Sequence, residues 1–152
     1  MHGVHRCTPP PAARHAQLGL RGPEDALGIL LVGPHPVTAG VTCLLLDERH
    51  RGLTCLDVSG RGDAEAVSAV AELLVGAAEQ EPDFAAVVIA SSAPARTHHP
   101  QPEEVRTFAE LLDVFDDAGI ELIDGFVIAG GFATSLAEHT GVPWRWLEPP
   151  RS

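Results

Sequence analysis

The chain has 152 residues, of which 45% are hydrophobic and 20% charged, and carries a formal net charge of −11. Those values suit one folded domain with a real core and exclude a disordered chain. The acidic balance argues against a partner recognised through its phosphate backbone, which needs basic surface, so no nucleic acid is expected. No run of about 18 apolar residues is present, so no membrane span is expected either.

All ten positive charges are arginine, and the chain contains no Lys, Asn or Tyr. Those three residues use AT-rich codons, so the composition points to a GC-rich, bacterial genome rather than to a chemistry. Three cysteines, Cys7, Cys43 and Cys55, make no disulfide framework: there is no CxxC, and one thiol would be left over. The stretch from Met1 to Arg21 lacks the apolar core of a secretory signal, and the expected location is the cytoplasm.

Residues 1–23 are rich in Pro, Ala and His and read as a flexible tail. Residues 24–140 read as one domain and residues 141–152 as a Pro-rich tail. Within the domain, Leu27 to Val32 is a short apolar run, fit for an edge strand or a short packed segment. Val41–Asp47 and Leu53–Ser59 read as a β-hairpin across a polar connection. The near-continuous apolar character of the first strand predicts cover on both faces. Folding about the turn puts Cys43 roughly opposite Cys55, where two buried thiols are expected in a reducing compartment.

Asp63 is a good helix N-cap. Ala64 to Gln80 carries Val67, Val70, Ala71, Leu74, Ala77 and Ala78 on one stripe, which predicts an amphipathic helix of about four turns. Each Leu or Val fully buried there contributes about 1.5–3 kcal/mol. Phe84 to Ala90 follows as a central strand, because Ala86-Val87-Val88-Ile89 is apolar on both faces. Pro102 suits the first position of a helix, with Glu103 and Glu104 in its first turn. Val105, Phe108, Leu111, Leu112, Phe115 and Ala118 fall at helical spacing before the stop at Gly119. Glu121–Ile128 is a further strand and Phe132–Leu136 a last short one. Trp144 and Trp146 lie two apart, so an extended segment would turn both indoles the same way, either pinned to the body or offered to a partner. The sum is an α/β domain, a mixed sheet flanked by helices.

Several local strings resemble the RadC-like branch of the JAB domains, also called MPN or JAMM, over roughly Val41 to Glu138. They are Leu45-Leu46-Asp47-Glu48-Arg49-His50, the glycine turn at Gly60, Leu122-Ile123-Asp124-Gly125-Phe126-Val127-Ile128, and Ser135-Leu136-Ala137-Glu138. The resemblance implies a curved mixed sheet of cytidine-deaminase-like architecture. In active members a His-x-His-Pro string and a later Asp hold zinc, leaving a position for water, while a Ser steadies the oxyanion and an upstream Glu is the base. Laid on this chain, the two imidazole positions are Ser91 and Ala93, the following Pro is Pro94, the Ser position is Gln101 and the Asp position is Glu104. The upstream Glu falls near Ala39 or Gly40, and a His that follows the late Asp in RadC-like members is Gly125 here.

Ala93 offers no lone pair, and a neutral Ser91 is a poor zinc ligand beside imidazole. The resemblance therefore implies a catalytically degenerate domain, without zinc or other cofactor, that binds a protein partner or a second copy of itself. The rival reading is a metal-dependent hydrolase with a displaced site around His98, His99 and Glu104. Arg96 beside the histidines could hold an anion. No GxGxxG, P-loop or GxSxG motif is present.

Overall fold

A computed structural model describes residues 4–7, 20–30, 40–92, 99–129 and 132–147. Its strands are β1 (Val4–Cys7), β2 (Gly40–Leu46), β3 (Gly52–Ser59), β4 (Ala86–Ser92), β5 (Glu121–Ala129) and β6 (Phe132–Ser135). Its helices are α1 (Pro23–Leu30), α2 (Ala64–Ala78), α3 (Pro102–Asp117) and α4 (Leu136–Thr140). The strands form one six-stranded sheet in the order β1-β3-β2-β4-β5-β6. Only β4 and β5 run parallel, joined by the α3 crossover; the other neighbours are antiparallel. The α/β reading with a mixed sheet holds, and the hairpin and the central strand lie where the apolar patterns put them.

The period of two divides the sheet into two packed faces. On one face Val41, Cys43, Leu45, Val87, Ile89, Leu122 and Val127 meet α2 and α3 through Leu74, Phe108, Leu111 and Phe115. On the other, Leu44, Leu46, Val88, Ala90 and Phe126 meet Ala26, Ile29 and Leu30 of α1, and Trp146. Two-sided cover is why β2 and β4 read as continuous apolar runs. α2 begins where Asp63 accepts the Ala66 N–H at 2.9 Å. Among the described residues no helix is long and apolar enough to cross a membrane.

Four expectations change. The stretch expected to be a flexible N-terminal tail contributes Val4–Cys7 to the sheet, because an edge strand is held by backbone pairing and needs no apolar pattern to announce it. The run from Leu27 is helical as far as Leu30, within α1; Leu31 and Val32 lie outside the described residues. Cys43 is not opposite Cys55: the register pairs Cys43 with Leu56 and Leu44 with Cys55. That offset of one residue sends the two thiols to opposite faces. The two indoles also part company. Trp146 is buried, its ring centroid 6.4 Å from that of Phe126, whereas Trp144 stays 38% exposed, because the chain bends at Trp146 and Leu147 instead of running on extended.

Two polar knots hold the layers together. At the hairpin turn, Asp47 accepts the Arg49 and Arg51 N–H groups, both at 2.9 Å, and the Arg51 Nε at 2.8 Å. The turn closes with His50 at φ 60°, its ring buried and its Nε2 2.8 Å from Glu121 Oε1. The His50 Nδ1 is buried with no hydrogen-bond partner. Facing a carboxylate oxygen, Nε2 is the ring nitrogen that donates.

The other knot is Asp124, 2% exposed in the middle of β5. Its carboxylate accepts the Ser135 Oγ–H at 2.8 Å, the Gly125 N–H at 2.7 Å and the Ala137 N–H at 3.2 Å, and the Trp146 indole also donates to it. It thus ties β5 to the first turn of α4 and to the C-terminal segment. Burial pushes its pKa from 3.8 up to about 6, against the pull of these donors. The unfolded chain ionises near 3.8 while the folded one holds its proton, so this group's contribution to stability falls as pH rises from about 4 to about 6. The shift corresponds to roughly 3 kcal/mol. In Asp124→Asn, which keeps an acceptor oxygen and cannot ionise, stability followed by urea unfolding is expected to lose this slope. A variant whose pH profile parallels the parent's between pH 4 and 6.5 would show that Asp124 titrates normally.

Candidate functional site

At the C-terminal end of β4, on the face covered by α2 and α3, a small cleft with an enclosed cavity of about 20 Å³ lies between the layers. Ser91, Glu104, Thr107, Phe108, Gly125 and Leu136 are among the residues that line it. Three of them, Ser91, Glu104 and Gly125, stand at positions that the JAB resemblance singles out, and the fold brings them together from three elements. Ser91 is the sixth residue of β4, level with Val41 of β2 and Val127 of β5. Glu104 lies in the first turn of α3. Gly125 reaches the same face through an irregularity in β5.

That irregularity is a β-bulge. Val87 pairs with Leu122 but Val88 with Asp124, so β5 carries one extra residue, Ile123, between the two pairings. Plain alternation from Leu122 would turn Asp124 toward α3 and Gly125 away. The bulge reverses both, sending Asp124 to the Trp146 side and Gly125 to the cleft. There Gly125 abuts Phe108. A Cβ on residue 125 would lie 2.9 Å from Phe108 Cδ1 and 3.3 Å from Leu136 Cδ1. The ring occupies the space into which any side chain at this position would project.

The turn before α2 is packed as closely. A Cβ on Gly62 would lie 2.1 Å from the Ser92 carbonyl oxygen and 2.9 Å from that of Gly40, so the turn before α2 packs directly on the ends of β4 and β2. Gly40, one of the two positions where the family's base would fall, is thus backbone packed against backbone.

Glu104 is buried, 8% exposed, and its Oε1 accepts the Gln101 N–H at 2.9 Å. That is the reach-back bond of a helix capping box, so this carboxylate serves the start of α3. Gln101 itself is exposed. His99 is exposed on the approach to α3, two residues before Gln101. Ala39, Ala93, Pro94, Arg96 and His98 lie outside the described residues.

Zinc does not fit this donor set. The resemblance requires two imidazoles and a carboxylate, and the described positions supply a serine hydroxyl and a glutamate already engaged in a cap. Among the described residues no group of three His, Cys, Asp or Glu side chains could hold a metal ion. Two contributors escaped sequence reasoning. Phe108 read only as core, and nothing in its spacing says that it lies on a glycine of another element. The bulge at Ile123 leaves no mark in an apolar string. No family model matches the chain, and no curated protein matches it.

Gly125→Ala is expected to destabilise the chain by about 1–3 kcal/mol through overpacking. Adding Phe108→Leu should recover part of that loss, because the two substitutions share one contact. Urea unfolding of the single and double variants measures both. Strict additivity would mean that the ring does not fill this space.

Proposed function

We propose that the chain is a RadC-like JAB domain that has lost its metal-holding side chains and acts as a binding or scaffold module, not as a hydrolase. The observation that carries this reading is the cleft. Ser91, Glu104 and Gly125, distant in sequence and equivalent by resemblance to an imidazole ligand, a carboxylate ligand and a second-site histidine, line one space. The order hairpin, helix, strand, helix, strand supports the same family. Phe108 against Gly125 supports the loss of function, since an apolar ring fills a place where the family has a polar one.

Without a metal to lower its pKa, water in such a cleft stays a weak nucleophile near neutral pH. What the cleft retains is shape and apolar wall: Val67, Ile89, Leu111, Leu122 and Leu136 surround two buried polar groups. With about 20 Å³ enclosed, it has room for about one water molecule, so a partner would meet it as a shallow apolar surface with a few polar groups and not enter it. The net charge of −11 turns it away from nucleic acid and toward a protein partner or a second copy of the chain.

Elemental analysis of protein purified without a histidine tag tests the reading. Zinc well below one atom per chain is the expected result, unchanged in His98→Ala and His99→Ala. Stoichiometric zinc overturns it, and zinc that disappears in those two variants would establish the displaced hydrolase site instead.

A further inference from the structure

The two thiols of the β2–β3 hairpin are not equivalent. Cys43 lies in the core beneath α2 and α3, and burial, reinforced by the neighbouring Cys55 and Asp57, pushes its pKa far above the ordinary thiol range. Such a thiol supplies almost no thiolate and reacts slowly. Cys55 lies on the opposite face, with the α1 layer. The hairpin register therefore separates these two.

The register of the outer strand does the reverse. β1 pairs with β3 in the order Val4 to Val58, His5 to Asp57, Arg6 to Leu56 and Cys7 to Cys55. Directly opposite residues of an antiparallel pair have Cα atoms about 4.5–5.5 Å apart and share a face of the sheet. A disulfide needs a Cα separation of about 4.4–6.8 Å. We propose that Cys7 and Cys55 close a cross-strand disulfide under oxidising conditions, tying the N-terminal strand to the sheet.

With glutathione disulfide as oxidant, the chemistry balances. The Cys7 thiolate attacks one sulfur of glutathione disulfide and expels a glutathione thiolate, leaving a mixed disulfide on Cys7. The Cys55 thiolate then attacks the Cys7 sulfur and expels the second glutathione. The two protein thiols give up two electrons and two protons, which leave as two molecules of reduced glutathione. Among the described residues β1 is the outermost strand on its side and covers the edge of β3. Closed, the bond keeps that edge covered; reduced, it leaves the edge able to exchange β1 for another strand. The bond is independent of what the cleft binds.

The test uses the full chain, equilibrated in buffers of reduced and oxidised glutathione, then denatured for thiol counting and digested without reductant for peptide mapping. The thiol count is expected to fall from three to one, with Cys7 and Cys55 peptides linked and Cys43 still reduced. The melting temperature should rise by about 5–10 °C over the reduced chain. Cys43→Ser should fall to zero thiols, and Cys7→Ser should keep two. The proposal is overturned by a chain that keeps three thiols, that stops at a glutathione adduct, that links Cys43, or that forms the bond only between chains.

Discussion

The buried carboxylate of Asp124 is the constraint on which this half of the molecule turns. It collects donors from β5, from the start of α4 and from the C-terminal indole, and it does so from a position with almost no contact with solvent. A carboxylate so placed must be surrounded by donors or hold its proton, and here both pressures act. Without it, α4 would lose a contact at its first turn, and Trp146 would have no acceptor beneath the sheet. The C-terminal segment is further held by Arg145, whose Nη1 lies 3.4 Å from both Asp116 Oδ1 and the Leu122 carbonyl oxygen.

The same bulge that turns Asp124 toward Trp146 turns Gly125 toward the cleft, so these two placements share one cause. One extra residue in β5 assigns a polar side chain to the α1 face and a bare Cα to the α3 face. Phe108 then packs where a side chain would otherwise stand. The cleft is consequently lined by apolar groups on most sides, with Glu104 held as a helix cap and Ser91 level with the neighbouring strands.

The far end of the sheet is organised on other terms. There Asp47 gathers the hairpin turn, and His50, in the left-handed region, reaches across to Glu121 at the start of β5. The Leu20 N–H donates to the His50 carbonyl at 2.7 Å, so the approach to α1 is tied to the same turn. These contacts brace the three segments that meet beneath the β2–β3 connection, at the end of the sheet away from Ser91. The sheet is thus stapled at one end and left with a cleft at the other.

Much of the fold was legible in the chain. The apolar runs of β2 and β4, the Asp63 cap, the stripe of α2, and Pro102 ahead of the periodic α3 are local signals, each produced by residues within a few positions of one another. Local spacing also brought out Ser91 and Glu104 as positions to watch, through their resemblance to a known pattern. What local signals could not decide were the relations between elements. A shift of one residue in pairing leaves every strand's pattern intact, yet it moved Cys43 and Cys55 to opposite faces, and the separate pairing of β1 with β3 put Cys7 level with Cys55. A bulge in an apolar string leaves the string apolar, yet it exchanged the faces of Asp124 and Gly125. Sequence by itself determined β2 to β5, α2 and α3, because burial periodicity and capping act over one or two turns; only the tertiary structure decided β1, α1, α4 and the register, because these are settled by contacts between residues tens of positions apart.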